Sequence, residues 1–137
     1  MIKKLNAVTG ILFNEQREVL IALRPMTVTE PGVWEFPGGK VEINETLEEA
    51  LIREFQEEVG VKVSQVKPFL KVEHRNEARH LILNSFLITE FQNIPTGCEG
   101  QEIRFVSTDT LNQYVFPKAN REIVKAVLHA TFGNTLK

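Results

Sequence analysis

Glu54, Glu57 and Glu58 are spaced i, i+3 and i+4, which places three carboxylates on one face of an α-helix. At about 100° per residue, with Leu47 at zero, they fall at about 340°, about 280° and about 20°. The apolar Ala50, Leu51 and Phe55 fall at about 300°, about 40° and about 80°, so the acids overlap the apolar stripe. A merely solvated acidic face would lie opposite that stripe. Two carboxylates about 5 Å apart repel by about 3 kcal/mol at an effective dielectric near 20, so acids held beside a core call for a cation. Oxygen donors without thiolates or a spaced histidine pair select Mg2+, with Mn2+ able to replace it, over zinc. His74, His80 and His129 have no metal-ligand spacing and read as surface or core residues.

Mg2+ commonly completes its shell with water and substrate phosphates, which turns an acidic helix facing a glycine loop toward phosphate-ester chemistry. Pro37, Gly38, Gly39 and Lys40 form such a loop. Two readings stay open for it: a tight turn, or a segment where backbone approaches metal or phosphate and Lys40 adds a positive charge. It is not a Walker A loop, because Lys40 is followed by Val41 and the upstream glycine spacing is missing. No nucleophile competes: Cys98 is the only cysteine and has no evident histidine partner, and no Gly-x-Ser-x-Gly elbow occurs.

The elements that must position these residues are readable in outline. Thr46 and Glu49 form a capping box, Leu47, Ala50, Leu51, Phe55 and Val59 repeat at helical spacing, and Gly60 stops the helix. Residues 1–13 read as a strand and not as a leader; its core, 5–13, and 19–23 form a hairpin across the polar run 14–18. Residues 61–72 and 79–91 read as further strands. The second carries Leu81, Leu83 and Leu87 on one face and Ile82, Phe86 and Ile88 on the other. Residues 103–106 add a short strand, and Ile123, Val124, Val127 and Leu128 mark a terminal helix. A sheet apolar on both faces, with a helix for each, predicts an α/β fold: an α/β/α sandwich with one mixed central sheet.

The chain has 137 residues, a length that predicts a single domain over 1–137. Its formal charge of −2 provides no basic footprint for polymeric nucleic acid and no polybasic membrane patch. No apolar run approaches the roughly 18 residues of a membrane span, and the single cysteine fits a cytoplasmic address. The near-neutral total conceals an asymmetry. Seven of the eighteen acids lie between Glu42 and Glu58, where Arg53 is the only base, a local balance of −6.

Gly39, five residues, Glu45, seven residues, then Arg53, Glu54, Phe55, Gln56, Glu57, Glu58, Val59, Gly60 and Val61 spell a complete Nudix box, and the sequence resembles the Nudix hydrolase family. Eight fixed positions over 23 residues make a chance match negligible. The likeness reaches over most of the chain to the branch that hydrolyses 8-oxo-dGTP. Arg24, Trp34 to Lys40, Glu99-Gly100-Gln101, and Phe116-Pro117 with Ala119-Asn120 carry it.

The resemblance implies the same α/β/α fold and a divalent metal bound by the Gly38 carbonyl, Glu54, Glu57, Glu58 and Glu99. Glu54 or Glu99 would activate water, Arg53 would orient Glu54 and Glu57, and Glu45 would steady loop and helix. Arg24 and Arg79 match positions near nucleotide and phosphates, Phe36 packs by the base pocket, and Asn120 hydrogen-bonds the purine edge. From spacing alone Asn120 also falls where the N-cap of the last helix belongs, and the two roles can coexist. The implied reaction is Mg2+-dependent hydrolysis of a nucleoside triphosphate, 8-oxo-dGTP and also dGTP, to monophosphate and pyrophosphate, which sanitises the nucleotide pool. The expected partner is that nucleotide alone, with the chain a monomer or weak dimer. Two alternatives remain: a pyrophosphohydrolase of CTP or other nucleotides, and a catalytically silent recognition module. Such modules lose box acids, and this box is intact.

Overall fold

The computed structural model describes residues 3–24 and 32–130. Along the chain run β1 (Lys3–Ile11), β2 (Glu18–Leu23), β3 (Trp34–Glu35), β4 (Gly38–Lys40), α1 (Leu47–Val59), β5 (Lys62–Arg75), β6 (Arg79–Gln92), β7 (Ile103–Ser107), a 3-10 turn (Thr108–Gln113) and α2 (Lys118–His129). Met1 and Ile2, read from the sequence as part of the first strand, lie outside the described residues.

The two apolar faces of β6 set the layering. Leu83 and Leu87 join one core with Ile123, Val124 and Val127 of α2, together with Ile11, Ile21 and Val106. Phe86 and Ile88, on the other face, pack with Ala50, Leu51, Phe55 and Val59 of α1, together with Val8, Leu12 and Leu20. A helix therefore covers each face, as an α/β/α sandwich requires. No helix among the described residues is long and apolar enough to cross a membrane.

The strands form two sheets where the sequence reading has one. The first is mixed, in the order β4-β1-β6-β5, with β1 parallel to β6 and the other pairs antiparallel. The second runs β3-β2-β7 and is antiparallel throughout. The expected hairpin is correspondingly short. Its turn forms, with the Asn14 side chain accepting from the Glu18 amide at 2.8 Å and Arg17 at φ 62°. Beyond the Phe13 and Val19 bridge, however, β1 and β2 part. A strand has only two edges, and those of β1 are taken by β4 and by a nine-residue register with β6.

Candidate active site

Helix α1 is defined locally at both ends. The Glu49 amide donates to Thr46 Oγ1 at 3.1 Å, and the Thr46 amide donates to the Glu49 side chain at 2.8 Å. Gly60 closes the helix in the left-handed region at φ 68°, where glycine carries no Cβ penalty. The last turn has no basic residue, so Glu57 and Glu58 sit at the negative end of the helix dipole, which adds to their mutual repulsion.

Strand β4 brings the glycine loop against this acidic end. The Gly38 amide donates to Glu58 Oε2 at 3.1 Å. A Cβ at Gly39 would overlap the Glu54 carboxyl group, so only glycine there lets that carboxylate lie against the strand.

Arg53 ties the cluster together. It donates from Nε and Nη2 to the two oxygens of Glu45 at 2.7 and 3.0 Å, from Nη1 to Glu54 at 2.8 Å and Glu57 at 3.3 Å, and from Nη2 to the Lys40 carbonyl at 3.0 Å. The planar fork of a guanidinium suits this many acceptors, whereas a lysine ammonium does not. Hydrogen bonds from Arg53 and from the Glu42 amide hold the Glu45 carboxyl below the usual range, and Glu45 in turn keeps Arg53 firmly protonated.

Glu54 and Glu58 are half-buried while Glu57 is largely exposed, so two of the three acids lie against the core as their helical angles indicated. Burial, then the Glu54 carboxyl hydrogen-bonded to it, then the charges of Glu54, Glu35 and Glu99, push Glu58 up to about 9. At neutral pH Glu58 therefore holds a proton against Glu54. Among the described residues no three acidic, histidine or cysteine side chains form a ready-made metal cage. Glu54 and Glu57 are turned toward Arg53, and Glu58 is neutralised by its proton. The donor set nevertheless fits a hard divalent cation, which can take the place of that proton: every donor is an oxygen, and a positive charge there would offset the burial and the acidic neighbours that raise Glu58.

Two further acids belong to this neighbourhood. Glu99 is exposed on the loop after β6, and its charge acts on Glu58. Glu35, which the sequence reading missed, is half-buried on β3; burial raises its carboxyl, Arg24 opposes this, and Glu54 adds to it. Its one sequence signal is an acid between two aromatic residues, Trp34 and Phe36, that alternate inward.

Arg24, Arg79 and Asn120 meet in a cavity of about 310 Å3, which His74, Arg75 and Lys118 also line. Arg24 Nε and Asn120 Oδ1 are buried there without a hydrogen-bond partner. Asn120 does not cap α2: Pro117 occupies the N-cap, and Asn120 stands in the first turn at 8% exposure. Proline one residue before Lys118 starts the helix earlier than the asparagine spacing suggested. Phe36 is fully buried against Phe116, ring centroids 5.3 Å apart, in the core beneath α2 and not in the cavity wall. Lys40 is exposed at the end of β4, its carbonyl held by Arg53. Larger hollows of about 690 and 450 Å3 lie beside the start of α1 and between the 3-10 turn and α2; none of the three is lined by the box acids, but the cavity of Arg24 has an electrostatic link to them, because Arg24 and Glu54 both act on the Glu35 carboxyl.

A carboxylate cluster organised by one guanidinium, beside a glycine strand and a cationic cavity, is equipped to hold a divalent cation, receive an anion and take a proton from water. The sequence matches the model of the NUDIX domain over residues 3–127, and the chain belongs to the Nudix hydrolase family, whose members work with a divalent metal. An 8-oxo-dGTP diphosphatase of Proteus vulgaris is 45% identical over 98 residues, 72% of this chain and 88% of that protein. That of Escherichia coli K12 is 38% identical over 122 residues, 89% of this chain and 95% of its own. A solved structure from a study of MutT of Aliivibrio salmonicida and Vibrio cholerae superposes with a TM-score of 0.80 at 38% identity, covering 92% of this chain and 98% of that one.

Proposed function

We propose that this chain is an 8-oxo-dGTP diphosphatase, hydrolysing 8-oxo-dGTP and, less efficiently, dGTP to the monophosphate and pyrophosphate with Mg2+, and clearing oxidised nucleotides from the cytoplasmic pool. The observation that carries this reading is a cavity holding Arg24 Nε and Asn120 Oδ1, both buried and unpartnered, linked through Glu35 to the Glu54 and Glu58 pair. A donor and an acceptor buried without partners each cost about 1–3 kcal/mol, which a bound nucleotide recovers by pairing them. The activity of the two relatives, shared over most of each chain, supports the same substrate.

The Gly38 carbonyl, Glu54, Glu57, Glu58 and Glu99 would hold the metal. When bound it offsets the charge of the diphosphate and lowers the pKa of water. The remaining work falls to the chain. Arg53 fixes the Glu54 and Glu57 carboxylates, and Glu45 fixes Arg53. Arg24, Arg79 and Lys40 receive the phosphates, while Asn120 reads the purine edge from a helix whose inner face packs in the same core as Phe36. Glu54 takes the proton of the attacking water as its oxygen bonds to the β-phosphorus. The bond from that phosphorus to the bridging oxygen breaks, and the monophosphate leaves.

The test is Glu54→Gln, which keeps the side chain's shape and removes its basicity. Turnover should fall at least about a hundredfold with thermal unfolding unchanged or slightly raised. Near-normal turnover in a folded variant would remove Glu54 from this role.

A further inference from the structure

The loop carrying Glu99 is joined to the end of α1 by hydrogen bonds from its backbone and from the side chains of Asn93 and Gln101. A helix ends with four carbonyls that lack intrahelical donors, and α1 offers no basic side chain to serve them. The loop supplies the donors instead. The Thr96 amide donates to the Val59 carbonyl at 2.9 Å and the Cys98 amide to the Glu58 carbonyl at 3.0 Å. Gln101 Nε2 donates to that same Glu58 carbonyl at 3.0 Å, and Gln101 Oε1 accepts the Glu99 amide at 2.9 Å. Both ends of one carboxamide are therefore engaged, one on the backbone of Glu58 and one on the backbone of Glu99. Among the described residues the Glu99 carboxylate makes no hydrogen bond or ion pair of its own, so its place depends on how its backbone is anchored.

We propose that Gln101 is a positioning residue for the hydrolysis, setting the distance between the Glu99 carboxylate and the box acids at the end of α1. This rests on the assignment of Glu99 to the metal-holding set above. Gln101 does not line the cavity of Arg24 and Asn120, so its loss should act on turnover and leave nucleotide affinity alone. The helix end tolerates that loss, because the Cys98 amide still serves the Glu58 carbonyl.

The test is a double-mutant cycle between Gln101→Met, which keeps the length and removes both hydrogen bonds, and Glu99→Gln, assayed on 8-oxo-dGTP with Mg2+. Removing a partner that orients a metal-holding group typically costs about 10–100-fold. Gln101→Met should lower kcat about tenfold, with KM for the nucleotide changed less than about twofold. In the Glu99→Gln background it should lower kcat by less than about twofold further, since no carboxylate remains to be positioned. Wild-type kcat in Gln101→Met, or the same tenfold loss in both backgrounds, overturns the proposal while leaving Glu99 in place. Wild-type turnover in Glu99→Gln overturns the Glu99 assignment and the proposal with it. If Gln101→Met does not fold, Gln101→Glu carries the same cycle, because it keeps the acceptor for the Glu99 amide and loses the donor to Glu58.

Discussion

Replacing Glu58 by glutamine removes a carboxyl that the fold keeps protonated by burial and by acidic neighbours. Its folded value is about 9 against the usual 4.5, so between those two values the folded chain holds a proton that the unfolded chain has released. Stability from this group therefore falls as pH rises through that window and levels off above about 9. The interval from 4.5 to pH 8 corresponds to about 5 kcal/mol, and water access to a half-buried group leaves on the order of 2 to 3 kcal/mol. Glutamine has no proton to lose, can still accept from the Gly38 amide, and can donate to Glu54. In EDTA, melting temperatures of wild type and Glu58→Gln should nearly coincide at pH 5, and at pH 8 the variant should melt higher by about 8 °C. Millimolar Mg2+ should then stabilise the wild type and not the variant. Equal melting temperatures at pH 8 in EDTA, or a less stable variant, would refute the protonated pair.

Metal binding must displace the Glu58 proton, so calorimetric Mg2+ affinity should rise with pH between 6 and 8 by up to about tenfold per pH step, with proton release. A flat profile would contradict this. Arg53→Lys should lower kcat about 10–100-fold in steady-state assays despite conserving charge, because an ammonium cannot serve Glu45, Glu54, Glu57 and the Lys40 carbonyl together. Gly39→Ala should cost about 1–3 kcal/mol in denaturant titrations and at least about tenfold in turnover, since its Cβ displaces the Glu54 carboxylate. Asn120→Ala should not destabilise the unliganded fold, since it removes a buried acceptor that has no partner there, while raising KM for 8-oxo-dGTP about tenfold or more.

What was legible in the sequence is what neighbouring residues decide. The span of α1 follows from Thr46, Glu49 and Gly60, and the shared face of the acids follows from helical geometry alone. The two apolar faces of β6 likewise come from its own residues. Separation into two sheets was not legible, because it depends on which remote strands claim the edges of β1, and both the turn at 14–18 and the bridge at Phe13 are compatible with a longer hairpin. Of the two roles open to Asn120, the cap is not the one the fold uses: its residue type suits an N-cap, but Pro117 already occupies that position. Glu35 went unnoticed because its environment is made by Arg24 and Glu54, which lie on other parts of the chain. Glu99 was reached by resemblance alone, since the hydrogen bonds that bring its loop to α1 are long-range and carry no periodic signal.

The reaction proposed for this chain is specific both in the phosphorus attacked and in the nucleotide preferred, and one measurement addresses both. The chain is given 8-oxo-dGTP, dGTP, dCTP and CTP separately with Mg2+ in 18O-labelled water, and kcat/KM, the phosphate product and the position of the label are recorded. A clear preference for 8-oxo-dGTP is expected, with pyrophosphate as the product and the label in the pyrophosphate. Equal efficiency across the four nucleotides, release of orthophosphate, or label in the monophosphate would contradict it.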